Sequence, residues 1–418
     1  MLKVFASVFT AIFFLVNLSG CQEQQKDPNR VLPSPPIQIF EIKAQEEHTE
    51  LIGRGEMSLV LDLNGDGHQD FVVATKKPSP QIKSFLRVNG EFKSEPIKSM
   101  SLKYNESVVA LYKVDLNGDA FDDLLVLQNG GFLSYLISQK NGQLVVLRTE
   151  EPDFLTSMTV RSTEMKIENG HPIFYWAYEM SIKGDTAFVK YTQDEIGKDV
   201  FKKEVLRVPM ADFIRGLDPE LSLEAVDEIR LGHLNNDAFY DIVLLDMASN
   251  RIYTLVSEGG ERFEVVSSIG DPLKPYSIQL LDLNGDGFQD LFVSHTFPRK
   301  KDANFSYLYT NDGVGQFVES SRQSLLSGVQ ILGAKIKSFG FQENPHLILA
   351  NNHLGVLLFY EVGPTGQVAA KPVSQLQPKG YPYDFTVVDM DGDGVFELVS
   401  FNDKKDSVSL SIFSQKQL

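Results

Sequence analysis

A nine-residue stretch, DLNGDGFQD at 282–290, constrains the fold most strongly because the chain repeats it. The other strong copies are DLNGDGHQD at 62–70, DLNGDAFDD at 115–123 and DMDGDGVFE at 389–397, and HLNNDAFYD at 233–241 is weaker. Each strong copy has side-chain oxygens at positions 1, 3, 5 and 9, and carboxylates crowded in this way repel one another unless a cation lies among them. Oxygen-rich loops of this kind suit Ca²⁺, to which position 7 would add a backbone carbonyl. The repeat therefore predicts several calcium-binding loops.

An EF-hand is the competing interpretation, because its loop also begins DxDxDG. That loop needs a glutamate at position 12 and a helix on each side. Position 12 here is Val73, Val126, Val293 or Ser400. The best copies are flanked by short apolar runs of strand length. We therefore predict that each loop is the turn of a β-hairpin, with its ninth residue entering the second strand.

The loops resemble those of the FG-GAP and VCBS repeat proteins, a family that includes the propeller of integrin α subunits. In that family, a DxDxDG-type loop joins the first two strands of a propeller blade. The resemblance implies an all-β fold, a β-propeller with calcium-binding hairpin loops, and about four Ca²⁺ sites. The implied ligands are the side chains of Asp62, Asn64, Asp66 and Asp70 with the His68 carbonyl; Asp115, Asn117, Asp119 and Asp123 with the Phe121 carbonyl; Asp282, Asn284, Asp286 and Asp290 with the Phe288 carbonyl; and Asp389, Asp391, Asp393 and Glu397 with the Val395 carbonyl.

Two copies depart from the pattern. Ala120 replaces the glycine that favours a left-handed backbone, which should strain its loop by roughly 1 kcal/mol. His233 and Asn236 remove charge from the weak copy, so whether that loop binds a cation stays open.

The spacing of the loops predicts seven blades. Their first residues are 62, 115, 233, 282 and 389, and two of the gaps are about double the others. Each long gap should contain a blade whose loop has lost its acids. One has a short turn near Glu168, and in the other Ser338 and His346 align with Asp282 and Asp290. Seven units of roughly 50 residues match the period of four-stranded blades.

Residues 37–418 are therefore predicted to form one seven-bladed propeller. Three strands follow the last loop, so we expect Ile37–Ile42 to supply the missing outer strand and leave no unpaired edge. The segment around Asp218, Pro219 and Glu220 has helix-like apolar spacing and a helix start. It is interpreted either as a long connection between blades or as a protruding partner-binding element.

The N-terminal residues indicate export. Residues 1–20 have the shape of a signal peptide, with Lys3 before an apolar run too short to span a membrane permanently. Leu18–Cys21 resembles a bacterial lipobox, which implies a lipidated Cys21; the alternative is an ordinary thiol. Residues 21–36 would then be a flexible tether. Because Gln22 follows the cysteine, resemblance to enterobacterial sorting favours the outer membrane, on either its periplasmic or its surface face.

Composition narrows the class of function. The formal net charge of −17 argues against a nucleic-acid partner, since such binders carry basic stripes. The sequence contains no GxSxG or CxxC motif, and its histidines show no metal-ligand spacing. The aromatic run Phe174–Trp176 with Tyr178 is interpreted either as strand core or as a carbohydrate-stacking surface.

These observations predict a calcium-stabilised, lipid-anchored module of the cell envelope. We expect it to be no enzyme, and to bind or scaffold an unidentified protein or glycan, as an adhesion-like module does. One alternative is an envelope polysaccharide lyase or hydrolase on a propeller scaffold. Another is a purely structural member of an envelope complex.

Overall fold

The computed structural model describes the chain from residue 40 onward, within one compact unit, Ser34–Leu418. The described residues are 40–48, 55–75, 79–89, 91–92, 96–151, 158–168, 171–180, 186–193, 201–206, 226–259, 262–271, 274–295, 305–317, 319–326, 336–341, 344–351, 355–363, 365–369, 371–378, 380–394, 396–404 and 407–415. Among them, no helix is long and apolar enough to cross a membrane. Cys21, the tether and the predicted helix start at Asp218 lie outside these residues.

The described strands form seven four-stranded antiparallel sheets, which we number as blades 1 to 7 along the chain. Strand β1 is Phe40–His48. Blade 1 contains β2 (Gly55–Leu61), β3 (Asp70–Thr75), β4 (Gln81–Phe85) and, after the small hairpin β5–β6 (Arg87–Val88 and Glu91–Phe92), β7 (Lys98–Ser101). Blade 2 contains β8 (Val108–Val114), β9 (Asp123–Gln128), β10 (Phe132–Ser138) and β11 (Leu144–Glu150). Blade 3 contains β12 (Met158–Glu168), β13 (His171–Met180), β14 (Thr186–Gln193) and β15 (Phe201–Leu206).

The remaining blades follow the same order. Blade 4 contains β16 (Glu228–Gly232), β17 (Asp241–Asp246), β18 (Arg251–Glu258) and β19 (Arg262–Gly270). Blade 5 contains β20 (Pro275–Leu281), β21 (Asp290–His295), β22 (Phe305–Tyr309) and β23 (Gln323–Leu326). Blade 6 contains β24 (Ile336–Phe341), β25 (Asn344–Asn351), β26 (Val356–Glu361) and β27 (Ser374–Leu376), and blade 7 contains β28 (Tyr381–Val388), β29 (Glu397–Lys404) and β30 (Ser407–Gln415).

The second strands of blades 1, 2, 4 and 5 show why these sequences form packed sheets. Every residue of β3, β9, β17 and β21 is buried. Continuous apolar runs such as FVVA and LLVL suit strands that are covered on both faces. Each of these strands therefore lies within the core, between neighbouring blades.

The core consists of apolar clusters between consecutive blades. Representative pairs are Val72 with Val126, Tyr135 with Trp176, Tyr175 with Phe263, Ile252 with Phe317, Phe359 with Phe385, and Phe71 with Phe401. Blades 5 and 6 are joined by Gln323, whose Nε2 donates to the Gly366 carbonyl at 3.0 Å. Each blade thus contacts the next, and blade 7 contacts blade 1. This cyclic order defines a β-propeller.

The ring closes through the first strand of the described chain. Strand β1 pairs antiparallel with β30, and Ile42 lies opposite Phe413. The fourth strand of blade 7 therefore comes from the opposite end of the chain, which is the exchange that the sequence predicts. The described strand covers Phe40–His48, and residues 37–39 of the predicted strand lie outside the described residues.

The two blades without acidic loops are also present. In blade 3, Glu168 pairs with His171 across the short turn that the sequence predicts. In blade 6, Phe339 lies opposite His346, whereas the alignment with Asp282 and Asp290 required Lys337 there. The predicted blade is therefore present, and its first two strands stay paired as far as Phe341 and Asn344.

The carbohydrate-stacking interpretation of the aromatic run was wrong. Phe174, Tyr175 and Trp176 are 0%, 3% and 3% exposed. They lie in β13, the second strand of its blade, where both faces are covered by neighbouring blades. The run belongs to the core.

Candidate metal centres

The five acidic loops occupy equivalent places in their blades. Loops 62, 115, 233, 282 and 389, named by their first residues, each join the first strand of a blade to the second. In each, position 9 begins the second strand, as the sequence predicts. Because all the blades share one topology, the loops lie on one face of the ring.

Positions 3, 5 and 7 form a hydrogen-bonded frame. In loop 282, the Asp286 N–H donates to Asn284 Oδ1 at 3.1 Å, and the Phe288 N–H donates to Asp286 Oδ1 at 2.8 Å. Asn284 Nδ2 also donates to Asp286 Oδ2 at 2.7 Å. Equivalent bonds occur in loops 62, 115 and 233. Short polar side chains that bond the backbone two residues on are typical of such turns.

Position 1 organises a second group of backbone donors. Asp282 accepts the Gly285 N–H at 2.7 Å on Oδ1 and the Gly287 N–H at 3.0 Å on Oδ2. Both glycines have positive φ, 73° and 89°, a region that glycine adopts without a steric penalty. Asp62, Asp115 and Asp389 make the same pair of bonds in their own loops.

Two departures from the pattern have structural counterparts. Ala120 has φ 67°, so it adopts the left-handed conformation that the sequence predicts for this position. In loop 233, Asn236 and Ala238 occupy the two glycine positions, and neither has positive φ. There, His233 lies against Tyr240, with ring centroids 4.3 Å apart. Loop 233 therefore keeps the frame but has a different backbone around position 1.

Position 9 anchors each loop to the body of its blade. Asp290 is fully buried, and it accepts the Leu283 N–H at 3.1 Å and the Asn311 N–H at 2.8 Å. Asp70, Asp123 and Asp241 are equally buried and bridge in the same way to Arg87, Ser138 and Ser257. The sequence analysis treated position 9 only as a ligand. The signal for its structural role was Asp241, which is kept in the copy that has lost the acid at position 1.

Burial changes the acidity of these anchors. Desolvation raises the pKa of Asp70 to about 7 and the pKa values of Asp123 and Asp290 to about 6, although their backbone hydrogen bonds oppose the shift. The pKa of Asp241 is raised for the same reason. By contrast, backbone N–H donors, Gly394 first, lower the pKa of Asp389. A cation near the anchors would favour their charged form.

Loop 389 brings its carboxylates closest together among the described residues. Ligand atoms of Asp389, Asp391 and Glu397 all lie within 4.8 Å of one another. Glu397 replaces the anchoring aspartate and accepts the Met390 N–H at 3.1 Å. The arginine Arg87 lies 3.6 Å from Asp391. Val395, the predicted carbonyl ligand of this loop, lies outside the described residues.

The donor set fits a hard divalent cation. In loop 282, each carboxylate oxygen of Asp282 accepts one N–H, so one lone pair on each oxygen remains for a cation. Asp286 is exposed and Asn284 half-buried, so both are within reach of solvent ions. Carboxylate, amide and carbonyl oxygens are the ligands that Ca²⁺ takes in proteins. Among the described residues, loop 389 is the one that brings three carboxylate ligand atoms within 4.8 Å of one another.

Backbone hydrogen bonds connect neighbouring loops. The Gln69 N–H donates to the Met390 carbonyl at 3.0 Å, and the Asp122 N–H donates to the Asp62 carbonyl at 3.1 Å. The Gln289 N–H donates to the His233 carbonyl at 3.0 Å. The loops therefore form two arcs, 389–62–115 and 233–282, separated by the blades without acidic loops.

Comparisons with known proteins agree with this architecture. The model of the FG-GAP-like repeat family matches residues 62–148 and 233–293. BBS1N, solved in complex with ARL6DN, is similar over 91% of this chain and 98% of its own, with TM-score 0.57 and 13% identity. The WD40 domain of Toxoplasma gondii coronin is similar over 93% of this chain and 90% of its own, with TM-score 0.55 and 10% identity. No curated protein matches the sequence significantly.

The structural similarities concern the fold, because the identities are low. They place the chain among the β-propellers. The repeat match is more specific and begins at the first acidic loop, at residue 62. The protein is a β-propeller in which residues 62–148 and 233–293 match the FG-GAP-like repeat model.

Proposed function

We propose that the protein is a calcium-stabilised binding or scaffolding propeller, without enzymatic activity, held at the bacterial cell envelope by a lipid on Cys21. The observation that carries the proposal is a repeated arrangement at position 1, where one aspartate accepts two backbone N–H bonds; we call it the position 1 cradle. Four loops combine an aspartate there with two inward N–H donors and further oxygen ligands. A polar turn without a ligand has no need of three or four carboxylates.

The residues that would hold Ca²⁺ are those at positions 1, 3, 5 and 9, with the carbonyl at position 7. A bound ion would supply two positive charges to each loop. The frame and the anchor already orient the side chains, so little chain entropy remains to be lost on binding. Extracellular calcium modules bind at about 10⁻⁴ to 10⁻³ M, which suits an exported protein.

The proposed work of the module is to present a rigid surface to a protein or glycan partner. The ring of seven sheets, with its closure through β1, provides the rigidity. FG-GAP-type propellers suggest binding or scaffolding, whereas the fold does not identify the ligand.

The envelope location rests on the N-terminal sequence pattern. If Cys21 is lipidated, mass spectrometry of the protein from bacterial membranes should show an acylated cysteine as the first residue. Cys21→Ser should release the protein into the soluble fraction. A Cys21→Ser protein that stays with the membrane as before would contradict the lipid anchor.

Thermal unfolding of the purified full chain tests the calcium proposal. We expect the melting temperature to rise by several degrees in millimolar Ca²⁺ compared with EGTA. Asp66→Ala, Asp119→Ala, Asp286→Ala and Asp393→Ala should each remove part of the rise. Asp237→Ala makes the matched change in loop 233 and should leave the rise intact. An equal melting temperature in both buffers would overturn the proposal.

A further inference from the structure

Loop 389 carries one more acid than the other candidate calcium loops. Its position 3 is Asp391, where the other three have Asn64, Asn117 and Asn284. On the basis of the proposed function, we infer that Arg87 is the internal counter-charge for Asp391, and that it sets the cation affinity of loop 389. It acts as a positioning residue, since it touches a ligand rather than the ion.

The contact between Arg87 and Asp391 joins two blades. Arg87 lies in β5 of blade 1, and its Nη2 is 3.6 Å from Asp391 Oδ2 in blade 7. The arginine side chain is 7% exposed and the aspartate side chain 27%. Burying a guanidinium costs several kcal/mol unless an anion lies beside it. Asp391 is an anion in that place, which explains why an acid replaces the usual asparagine.

The formal charges of the loops indicate how the Arg87–Asp391 ion pair would affect cation binding. Loops 62, 115 and 282 each have three acids at ligand positions, for a charge of −3. Loop 389 has four, and Arg87 brings its charge to −3 as well. Without the arginine, loop 389 would attract a divalent cation more strongly than its neighbours, and it would be less stable without one.

The same arginine also contacts the neighbouring loop. Its backbone N–H donates to Asp70 Oδ1 at 2.8 Å, so Arg87 helps to anchor loop 62. The Gln69 N–H donates to the Met390 carbonyl next to this contact. Arg87 thus links loops 62 and 389 where the last blade meets the first. A side-chain substitution would remove the counter-charge and keep the backbone anchor.

Calorimetric titration of the full chain with CaCl₂ tests the inference. A background of Asp66→Asn, Asp119→Asn and Asp286→Asn weakens the other loops and leaves loop 389 to be measured. In this background, Arg87→Gln should tighten calcium binding about tenfold or more, because a nearby positive charge is removed. Arg87→Gln with Asp391→Asn restores a charge of −3 and should cancel most of the gain. Unchanged or weaker binding by folded Arg87→Gln would overturn the inference.

Thermal unfolding without the background substitutions gives an independent readout. Arg87→Gln should lower the melting temperature in calcium-free buffer, and the deficit should shrink in saturating Ca²⁺. A merely structural arginine would give the same deficit in both buffers, which would overturn the inference. Arg148→Gln controls for lost charge, because Arg148 pairs with Glu150 at 3.0 Å in blade 2. If Ca²⁺ does not bind the unsubstituted protein, the proposed function fails instead.

Discussion

Loops 282 and 233 are neighbours in the ring that differ in one half of their structure. Both have the frame of positions 3, 5 and 7 and a buried aspartate at position 9. They differ around position 1, where Asp282 gathers two N–H donors from residues with positive φ. Loop 233 has His233 at that position and no positive φ at Asn236 or Ala238.

The difference between the loops separates two roles of the nine residues, which are to form the hairpin turn and to bind a cation. The frame and the anchor persist in loop 233, so they define the hairpin turn whether or not an ion is bound. The position 1 cradle is found where the full set of acids is found, so it belongs to the cation chemistry.

Removing the position 9 anchor should lower the free energy of unfolding most, and by a similar amount in both loops. Asp290→Ala and Asp241→Ala each leave two buried N–H groups without an acceptor, at about 1–3 kcal/mol for each group. We therefore expect each substitution to lower the free energy of unfolding by roughly 2–6 kcal/mol in calcium-free buffer, measured with urea. Asp290→Asn keeps one acceptor oxygen and should cost less. An Asp241→Ala protein as stable as the unsubstituted chain would contradict the anchoring role.

The position 1 cradle should contribute to calcium-dependent stability in loop 282 and not in loop 233. Asp282→Ala should remove the calcium stabilisation of loop 282, about 2.7 kcal/mol when Ca²⁺ is at a hundredfold excess over its dissociation constant. His233→Ala should change the calcium-dependent part of stability by little. Urea unfolding with and without Ca²⁺ measures both. Equal calcium-dependent losses in the two variants would remove the distinction between the loops.

The anchors should also make the calcium-free protein sensitive to pH. The raised pKa values of Asp70, Asp123 and Asp290, about 7, 6 and 6, mean that the folded state holds protons that the unfolded state has released above about pH 4. The free energy of unfolding should therefore fall as pH rises from about 4 to 7 in calcium-free buffer. Asp70→Asn should reduce this slope. Saturating Ca²⁺ should reduce the slope too. A free energy of unfolding that rises with pH over this range would contradict the raised pKa values.

The smallest effects concern the backbone at position 6. Ala120→Gly should stabilise loop 115 by up to about 1 kcal/mol, because a glycine relieves the left-handed strain. Ala238→Gly in loop 233 should destabilise by up to about 1 kcal/mol, since no strain exists there to relieve. Precise chemical denaturation of both variants tests the opposite signs. Two effects of the same sign would show that the loops share one backbone.

Local features of the structure were predictable from the sequence. The loops are encoded by residues within nine positions of one another. Asp282 and Gly287 could therefore be placed in the same loop without knowledge of the fold. The short turn at Glu168 and the exchange of β1 follow from strand patterns and from the need to close the ring.

Relations between distant residues were not predictable. Arg87 and Asp391 are 304 positions apart, and they meet only because blade 7 lies beside blade 1. The hydrogen bond from Gln69 to Met390 depends on the same closure. The sequence left strand core and a stacking surface both open for Trp176, and its burial could be decided only from the fold, because the second strand of a blade is covered on both faces.

Counting the bound ions tests the central claim most directly. Equilibrium dialysis of the full chain against radioactive Ca²⁺ gives the number of ions for each chain. The four loops with a complete position 1 cradle predict about four ions, about three in Asp282→Ala, and an unchanged number in His233→Ala. Binding of no calcium, or the loss of an ion in His233→Ala, would contradict the account.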